Sequence, residues 1–484
     1  MQFLKKVSVS TFSLLFSFVL QANEKSPNII MIVADDMQAC FGNYKLNAAL
    51  TPNLDRLASE GVTFNKAFCQ FPVCGPSRAS FMSGLYPKTT KILGNNHKTY
   101  KEANPELANH PSLGEFLIQE GYYSARISKM FHLGVPGELE QGAPGADMPM
   151  CWDYTYNVTG PELYSPGLHE NLTPTTTHHG GSFYTVVVPD ELAETQADAM
   201  GTTQAIGFLE NRSRPWPPKS TNKTRLKPDA PFFLALGLVR PHVPLVAPKS
   251  CYDLYPLDRI TLPHVPADDK ADLPKSVIKK LKHSNMSITN QKKTIQAYYA
   301  SVTYLDQQVG RVLNALDRLK IRDNTIVMFM SDHGYNLGEH TAWQKMSFWE
   351  TTTKVPLIIS SPSHKNSNGK VCNSIVELID IYPTLGDLTG HKNTLPQRLE
   401  GESLRKYLSN PNDSSSNQMA HTVMGKSAAS IRVTDWRYSS YSDGEELYHL
   451  KSDPNEFINL ASNPEYQMQL KKMKEQLKQL QTSN

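Results

Sequence analysis

The chain has 484 residues and carries 49 Lys and Arg against 46 Asp and Glu, a formal net charge of +3. That length allows about two to four domain-sized units, and so small a positive excess excludes a protein held to nucleic acid by charge alone. The six cysteines, Cys40, Cys69, Cys74, Cys151, Cys251 and Cys372, have no regular spacing and no Cys-x-x-Cys pair. This excludes a disulfide framework and leaves room for one or two bridges.

In chain order, Lys5 and Lys6 precede an apolar run that ends near Leu20-Gln21-Ala22, the pattern of a secretory signal peptide over 1–22. The run is too short to span a bilayer comfortably. The sequence therefore predicts an exported protein, periplasmic or secreted, without stable membrane insertion. Loss of Lys5 and Lys6 with the leader lowers the formal charge to +1.

From Pro27 onward, strand and helix signals alternate. Residues 28–34 form a continuous apolar run, as expected of a strand buried on both faces, and the run ends at Asp35-Asp36. Residues 51–61 read as a short helix capped by Thr51, with Pro52 in its first turn and Gly61 as its stop. Residues 112–120 repeat the pattern before Gly121 and a strand over 122–127. Further buried strands are predicted at 232–238, 325–330 and 355–359. Apolar residues from Ile295 to Leu319 recur every three or four positions and predict a long amphipathic helix. The alternation implies an α/β sandwich around a large, mostly parallel central sheet.

Between 136 and 229 the pattern weakens into Pro, Gly, Thr and His, which predicts long loops over a site. A polar linker over 410–416 leads to strand signals at 430–441 and 446–450 and a helix at 465–481. These divide the mature chain into a catalytic domain over 23–411 and a small C-terminal α+β subdomain over 412–484.

Ligands of doubly wound sheets collect at the carboxyl ends of the strands. Asp35 and Asp36 leave one such end, where two adjacent carboxylates repel unless a hard cation neutralises them. Ser331-Asp332-His333-Gly334 leaves another, with Asp332 as a further oxygen ligand and His333 as a ligand or anion-positioning group. Lys129 and His132 follow the 122–127 strand, Arg240 and His242 follow the 232–238 strand, and Lys345 lies in Trp343-Gln344-Lys345. Each is weak evidence alone. Their convergence on one sheet edge is the signal.

In Cys74-Gly75-Pro76-Ser77-Arg78, Pro76 suits a first helical turn, which sets Cys74 at a positive helix end facing an anion. The run also matches the signal read by formylglycine-generating enzymes. With Asp35-Asp36 and Asp332-His333-Gly334 it resembles the type I, formylglycine-dependent sulfatases of the alkaline-phosphatase-like fold. Phe232-Phe233-Leu234 with Arg240-Pro241-His242-Val243-Pro244, Asp332 through His340, and the Lys129/His132 spacing resemble the iduronate-2-sulfatase branch.

The resemblance implies one Ca2+ held by Asp35, Asp36, Asp332, His333 and Cys74, the last converted to 3-oxoalanine (formylglycine). It also implies a sulfate ester cradled by Arg78, Lys129 and Lys345, with His242 and Lys345 protonating the leaving oxygen and His132 taking the proton of the remaining hydroxyl. His333 stands where most sulfatases have Asn, and Leu85 where many have Arg. Expected partners are a maturation enzyme and a sulfated oligo- or polysaccharide, uronate-containing such as ulvan or a glycosaminoglycan, attacked from its end. His97, Lys98, His178, His179 and Arg240 are candidates for its anionic groups, and Trp343 and Trp349 for stacking on a sugar ring. The alternatives are a phosphate or phosphonate ester hydrolase and an inactive carbohydrate-binding relative.

Overall fold

The apolar runs of the sequence become the middle of a nine-stranded sheet. The structure is a computed structural model that describes residues 26–42, 44, 49–173, 182–211, 230–281, 285–413 and 419–483. The leader, His178, His179 and much of the polar linker lie outside the described residues. Asn28–Ala34 sits centrally, parallel to Thr325–Ser331 on one side and to Phe232–Gly237 on the other. Tyr123–Ser128 continues the parallel set beyond Phe232–Gly237, and Tyr154–Tyr156 follows it. On the opposite side Leu357–Ser360 and Val62–Phe68 pair antiparallel, with Lys370–Glu377 parallel to Val62–Phe68. The sheet is mixed and mostly parallel, as the alternation implied.

Alternation of side chains along each strand feeds two separate cores. Ile30, Ile32, Leu234, Leu236, Val327 and Phe329 face one layer, which includes the 31-residue helix Ile288–Arg318. Ile29, Met31, Val33, Phe233, Ala235 and Met328 face the other, which includes Phe81, Met82, Phe116 and Ile381. Burial on both faces explains why these strands read as unbroken apolar runs.

Several local expectations are corrected. Thr51 makes no capping bond to the helix Pro52–Ser59. Asp306, reaching from the long helix, instead accepts from the backbone N–H of Leu54 at 2.7 Å and of Asn53 at 3.1 Å. Gly61 is required by proximity, because a Cβ there would lie 2.6 Å from the Ile359 carbonyl oxygen. The 136–229 stretch is more regular than its composition suggested. It contains the helix Ala197–Asn211 and the strands Leu168–Asn171 and Tyr184–Val188. That helix escapes periodicity because most of its buried face is Ala, Gly and Thr, with Phe208 and Leu209 only near its end. The 430–441 signal is a hairpin of Ala428–Val433 and Trp436–Tyr441 within a four-stranded antiparallel sheet that begins at Met419. The helix Gln467–Ser483 packs Leu470, Met473 and Leu477 against that sheet. All six cysteines are free and buried.

Candidate active site

Because the four central strands run parallel, their carboxyl ends open on one edge, and six segments deliver side chains there. Asp35 and Asp36 follow Asn28–Ala34, Lys129 follows Tyr123–Ser128, His242 follows Phe232–Gly237, and Asp332 and His333 follow Thr325–Ser331. Asp36 holds a left-handed backbone, φ 66°. Its N–H donates to Asp332 Oδ1 at 3.1 Å and its carbonyl accepts from the Tyr298 hydroxyl at 2.6 Å, which fixes this sparsely populated conformation. Cys74 is the first residue of the helix Cys74–Ser83, and the Gly75 N–H is already taken by Asn95 Oδ1 at 2.8 Å. Lys345 arrives from a two-residue hairpin strand, Trp343–Gln344, flanked by the left-handed residues Gln344 and Met346.

The centre is buried and densely charged. Asp35, Asp36, Asp332, Arg78, His333 and Cys74 are all 0–1% exposed. Arg78 Nε donates to Asp332 Oδ2 at 2.8 Å, Nη2 to Asp35 Oδ1 at 3.3 Å and Nη1 to the Lys129 carbonyl at 2.7 Å. Lys129 Nζ lies 2.6 Å from Asp35 Oδ2, and Lys345 Nζ lies 2.7 Å from Asp36 Oδ1 and 3.3 Å from Cys74 Sγ. Burial alone would raise the Asp35 and Asp36 pKa values, but Lys129 beside Asp35 and Lys345 beside Asp36 hold both carboxyls well below the usual range. Lys345 is correspondingly held above the ordinary ammonium value, by Asp36 and Cys74 against its own burial. Burial brings His242 down to about 4 and, with Lys129, His132 to about 2.

Three carboxylates converge on one point, a group that could hold a metal ion. Asp35, Asp36 and Asp332 offer oxygens within 4.8 Å of one another, and Asp36, Cys74 and His333 form an overlapping set. His333 Nδ1 lies 2.8 Å from the Gly334 carbonyl, so it carries the hydrogen there and turns Nε2 towards Asp36 and Cys74. Oxygen donors with one imidazole suit a hard divalent ion.

The family model described as Sulfatase matches residues 27–391, and the one described as N-sulphoglucosamine sulphohydrolase, C-terminal, matches 338–483. A sulfatase of Formosa agariphila is 34% identical over 481 residues, spanning 94% of this chain and 87% of that protein. The chain belongs to the sulfatase family. The iduronate 2-sulfatase of Mus musculus is 32% identical, over 79% of this chain and 73% of its own length. Among solved structures, the phosphonate monoester hydrolase of Agrobacterium radiobacter superposes with a TM-score of 0.76 at 20% identity, over 94% of this chain and 96% of the other, a likeness of fold. The protein is thus a sulfuric ester hydrolase with an iduronate-2-sulfatase-like relationship.

In this sulfatase Arg78 spends its donors on Asp35, Asp332 and two carbonyls, so it organises the carboxylates rather than lying open to an anion. Three residues expected at the sugar are interior instead. Arg240 is 2% exposed and paired with Glu162, and Trp343 is 3% exposed with its ring edge-on to Phe183. Trp349 is likewise interior, stacked on His340 at 3.9 Å. His97 is exposed, 3.3 Å from Glu138 and with its ring 6.1 Å from that of His132, and Lys98 is exposed beside it. Sequence reasoning missed Asn95, Glu138, Glu162, Asp198 and Tyr298. None stands in a motif, and each is recognised only through its partner in space.

Proposed function

We propose that this sulfatase is exported and removes sulfate from the end of a sulfated carbohydrate, using Cys74, matured to formylglycine, as nucleophile and Ca2+ held by Asp35, Asp36, Asp332, His333 and the modified Cys74. The observation that carries the proposal is the setting of Cys74. It opens a helix, is fully buried, and has Lys345 at 3.3 Å and His333 at 3.4 Å, with a His242 nitrogen and an Asp35 oxygen within 4.8 Å.

When bound, a divalent cation adds positive charge that polarises the ester oxygens. Among the chain's own groups, Lys129 and Lys345 supply further positive charge where the sulfate sits, and Arg78 keeps Asp35 and Asp332 in place. A hydroxyl of the hydrated Cys74 aldehyde attacks sulfur in line with the leaving oxygen. His242, whose Nδ1 is committed to the Val243 carbonyl at 2.6 Å, presents Nε2 to the site and with Lys345 protonates that oxygen. A bound anion raises the proton affinity that burial has lowered. His132, with Nδ1 buried and unpartnered, accepts the proton of the second hydroxyl, whose oxygen then forms the C=O of the aldehyde as the C–O bond to the transferred group breaks and sulfate leaves.

The leader pattern supports export, and no helix among the described residues is long and apolar enough to cross a membrane. The iduronate 2-sulfatase likeness supports a uronate-containing substrate such as a glycosaminoglycan or ulvan. Release of inorganic sulfate from a panel of defined sulfated oligosaccharides, with Cys74→Ala as control, tests the reading. Turnover of terminally sulfated uronate-containing oligosaccharides is expected. Turnover of phosphonate or phosphate esters alone would replace it with the alternative chemistry, and turnover of aryl sulfates alone would end the carbohydrate claim.

A further inference from the structure

Beneath His242 lies a buried charge cluster that no step above uses. Arg240, two residues before His242, sends Nη2 to Glu162 Oε2 at 2.5 Å and Nη1 to the carbonyls of His242, at 3.1 Å, and Pro244. Asp198 accepts from the backbone N–H of Val239 at 2.6 Å and of Arg240 at 3.0 Å. The Arg240 carbonyl in turn accepts from the Asp35 N–H at 3.4 Å, and the His242 N–H donates to the Val239 carbonyl at 2.9 Å. Glu162, Asp198 and Arg240 are each 1–2% exposed. Glu162 is also held at φ 40°, a left-handed conformation unusual outside glycine, and its second oxygen, Oε1, has no partner.

Three segments thus meet on one turn: the short helical turn Glu162–Tyr164 through Glu162 and the helix Ala197–Asn211 through Asp198, both within the 136–229 stretch, and the strand end that carries His242. A buried ion pair of this kind is weak evidence for stability, because desolvating two charges offsets their attraction. What the fork geometry of Arg240 does accomplish is to tie one carboxylate and two carbonyls of the same turn to a single rigid plane.

We infer that Glu162, Arg240 and Asp198 are positioning residues that hold the His242 imidazole at the leaving oxygen, so that the 136–229 stretch contributes to proton transfer from below the site. The inference rests on the reading of His242 as a leaving-group acid. Proton donation matters most for a poor leaving group and little for one that departs as a stable anion. A displacement of about 1 Å costs on the order of 10²-fold where orientation limits the rate.

The test compares Glu162→Ala, Glu162→Gln, Arg240→Lys and His242→Ala on 4-nitrophenyl sulfate and phenyl sulfate, together with a crystal structure of Glu162→Ala. Glu162→Ala is expected to lose on the order of 10²-fold in kcat on phenyl sulfate and only a few-fold on 4-nitrophenyl sulfate. Glu162→Gln, which restores an acceptor for Arg240, should recover most of the loss. Arg240→Lys should behave like Glu162→Ala, since one ammonium cannot reach all three acceptors, and it carries the comparison if Glu162→Ala does not fold. The crystal structure should show His242 displaced from Asp36, and it decides the matter if neither aryl ester is turned over. Equal losses on both esters, or an unmoved His242, would overturn the inference. If His242→Ala itself loses equally on both, the leaving-group reading fails instead, which keeps the two outcomes distinct.

Discussion

Two buried charge clusters in this protein are built from the same kinds of residue and behave differently. At the strand ends, Asp35, Asp36 and Asp332 face Arg78, Lys129, Lys345 and His333 around Cys74. At the junction with the C-terminal sheet, Glu350 accepts from Arg432 at 2.7 Å and Arg437 at 2.6 Å, and Glu456 accepts from Arg437 at 2.6 Å. Both guanidinium groups also lie within 6 Å of the Phe68 ring centre. In the junction cluster the bonds pair off, and Glu456 Oε2 even takes the Glu350 N–H at 2.7 Å. In the first cluster the carboxylates crowd one point and Lys345 ends 3.3 Å from Cys74 Sγ. Charges that pair off hold a structure together. Charges that converge on a point are set up to receive something.

The comparison can be broken most sharply at Cys74. Cys74→Ala should lower turnover on the order of 10⁶-fold, the scale for removing a nucleophile, while shifting unfolding free energy by about 1 kcal/mol or less. Denaturant melts and sulfate release on the same preparation check both. The junction should show the opposite pattern. Glu350→Ala leaves Arg432 and Arg437 buried without their shared partner and should cost about 3–5 kcal/mol of stability. Its turnover per folded molecule, measured well below the melting transition, should stay near wild type.

Chelation sharpens the contrast further. Removing divalent ions should abolish activity and lower the apparent stability by about 3 kcal/mol if Ca2+ had been present at a hundred times its Kd. Re-adding Ca2+ should restore both. An unchanged melting temperature would contradict the assignment of Asp35, Asp36 and Asp332 to a cation.

The smallest effect concerns Glu446, in the C-terminal sheet, which is fully buried and accepts from the Tyr441 hydroxyl at 3.0 Å. Burial, reinforced by Glu456, raises its carboxyl to about 8. Its folded pKa exceeds its unfolded one, so the folded state binds the proton more tightly. Its contribution to stability is therefore fully present at acid pH and is lost as pH rises towards 8. Glu446→Gln keeps the acceptor and should flatten that slope, gaining about 1 kcal/mol over wild type at pH 8 and little at pH 5. Melting temperatures at the two pH values check the sign.

Much of the candidate centre was legible because its residues follow directly on buried strands. Asp35, Asp36, Asp332, Lys129 and His242 each stand just beyond an apolar run, and parallel strands put those ends on one edge. Cys74 and Arg78 were legible from a local motif. What could not be read was exposure and long-range pairing. Arg240 and Trp343 looked like surface groups near a sugar, yet Arg240 meets Glu162, 78 positions away, and Trp343 meets Phe183. The cap on Pro52–Ser59 comes from Asp306, about 250 residues later, so no local rule could find it. The helix Ala197–Asn211 was hidden for a different reason: small residues pack closely without an apolar stripe.

In the proposed mechanism the strand-end cluster acts through Cys74 as formylglycine. The most direct measurement is the mass of the peptide spanning Cys74 from protein made with a formylglycine-generating enzyme, read alongside sulfate release from the same sample. The account predicts that the thiol is replaced by an aldehyde and that activity scales with the aldehyde fraction across preparations. Full sulfatase activity in a sample whose Cys74 is wholly an unmodified thiol would contradict it.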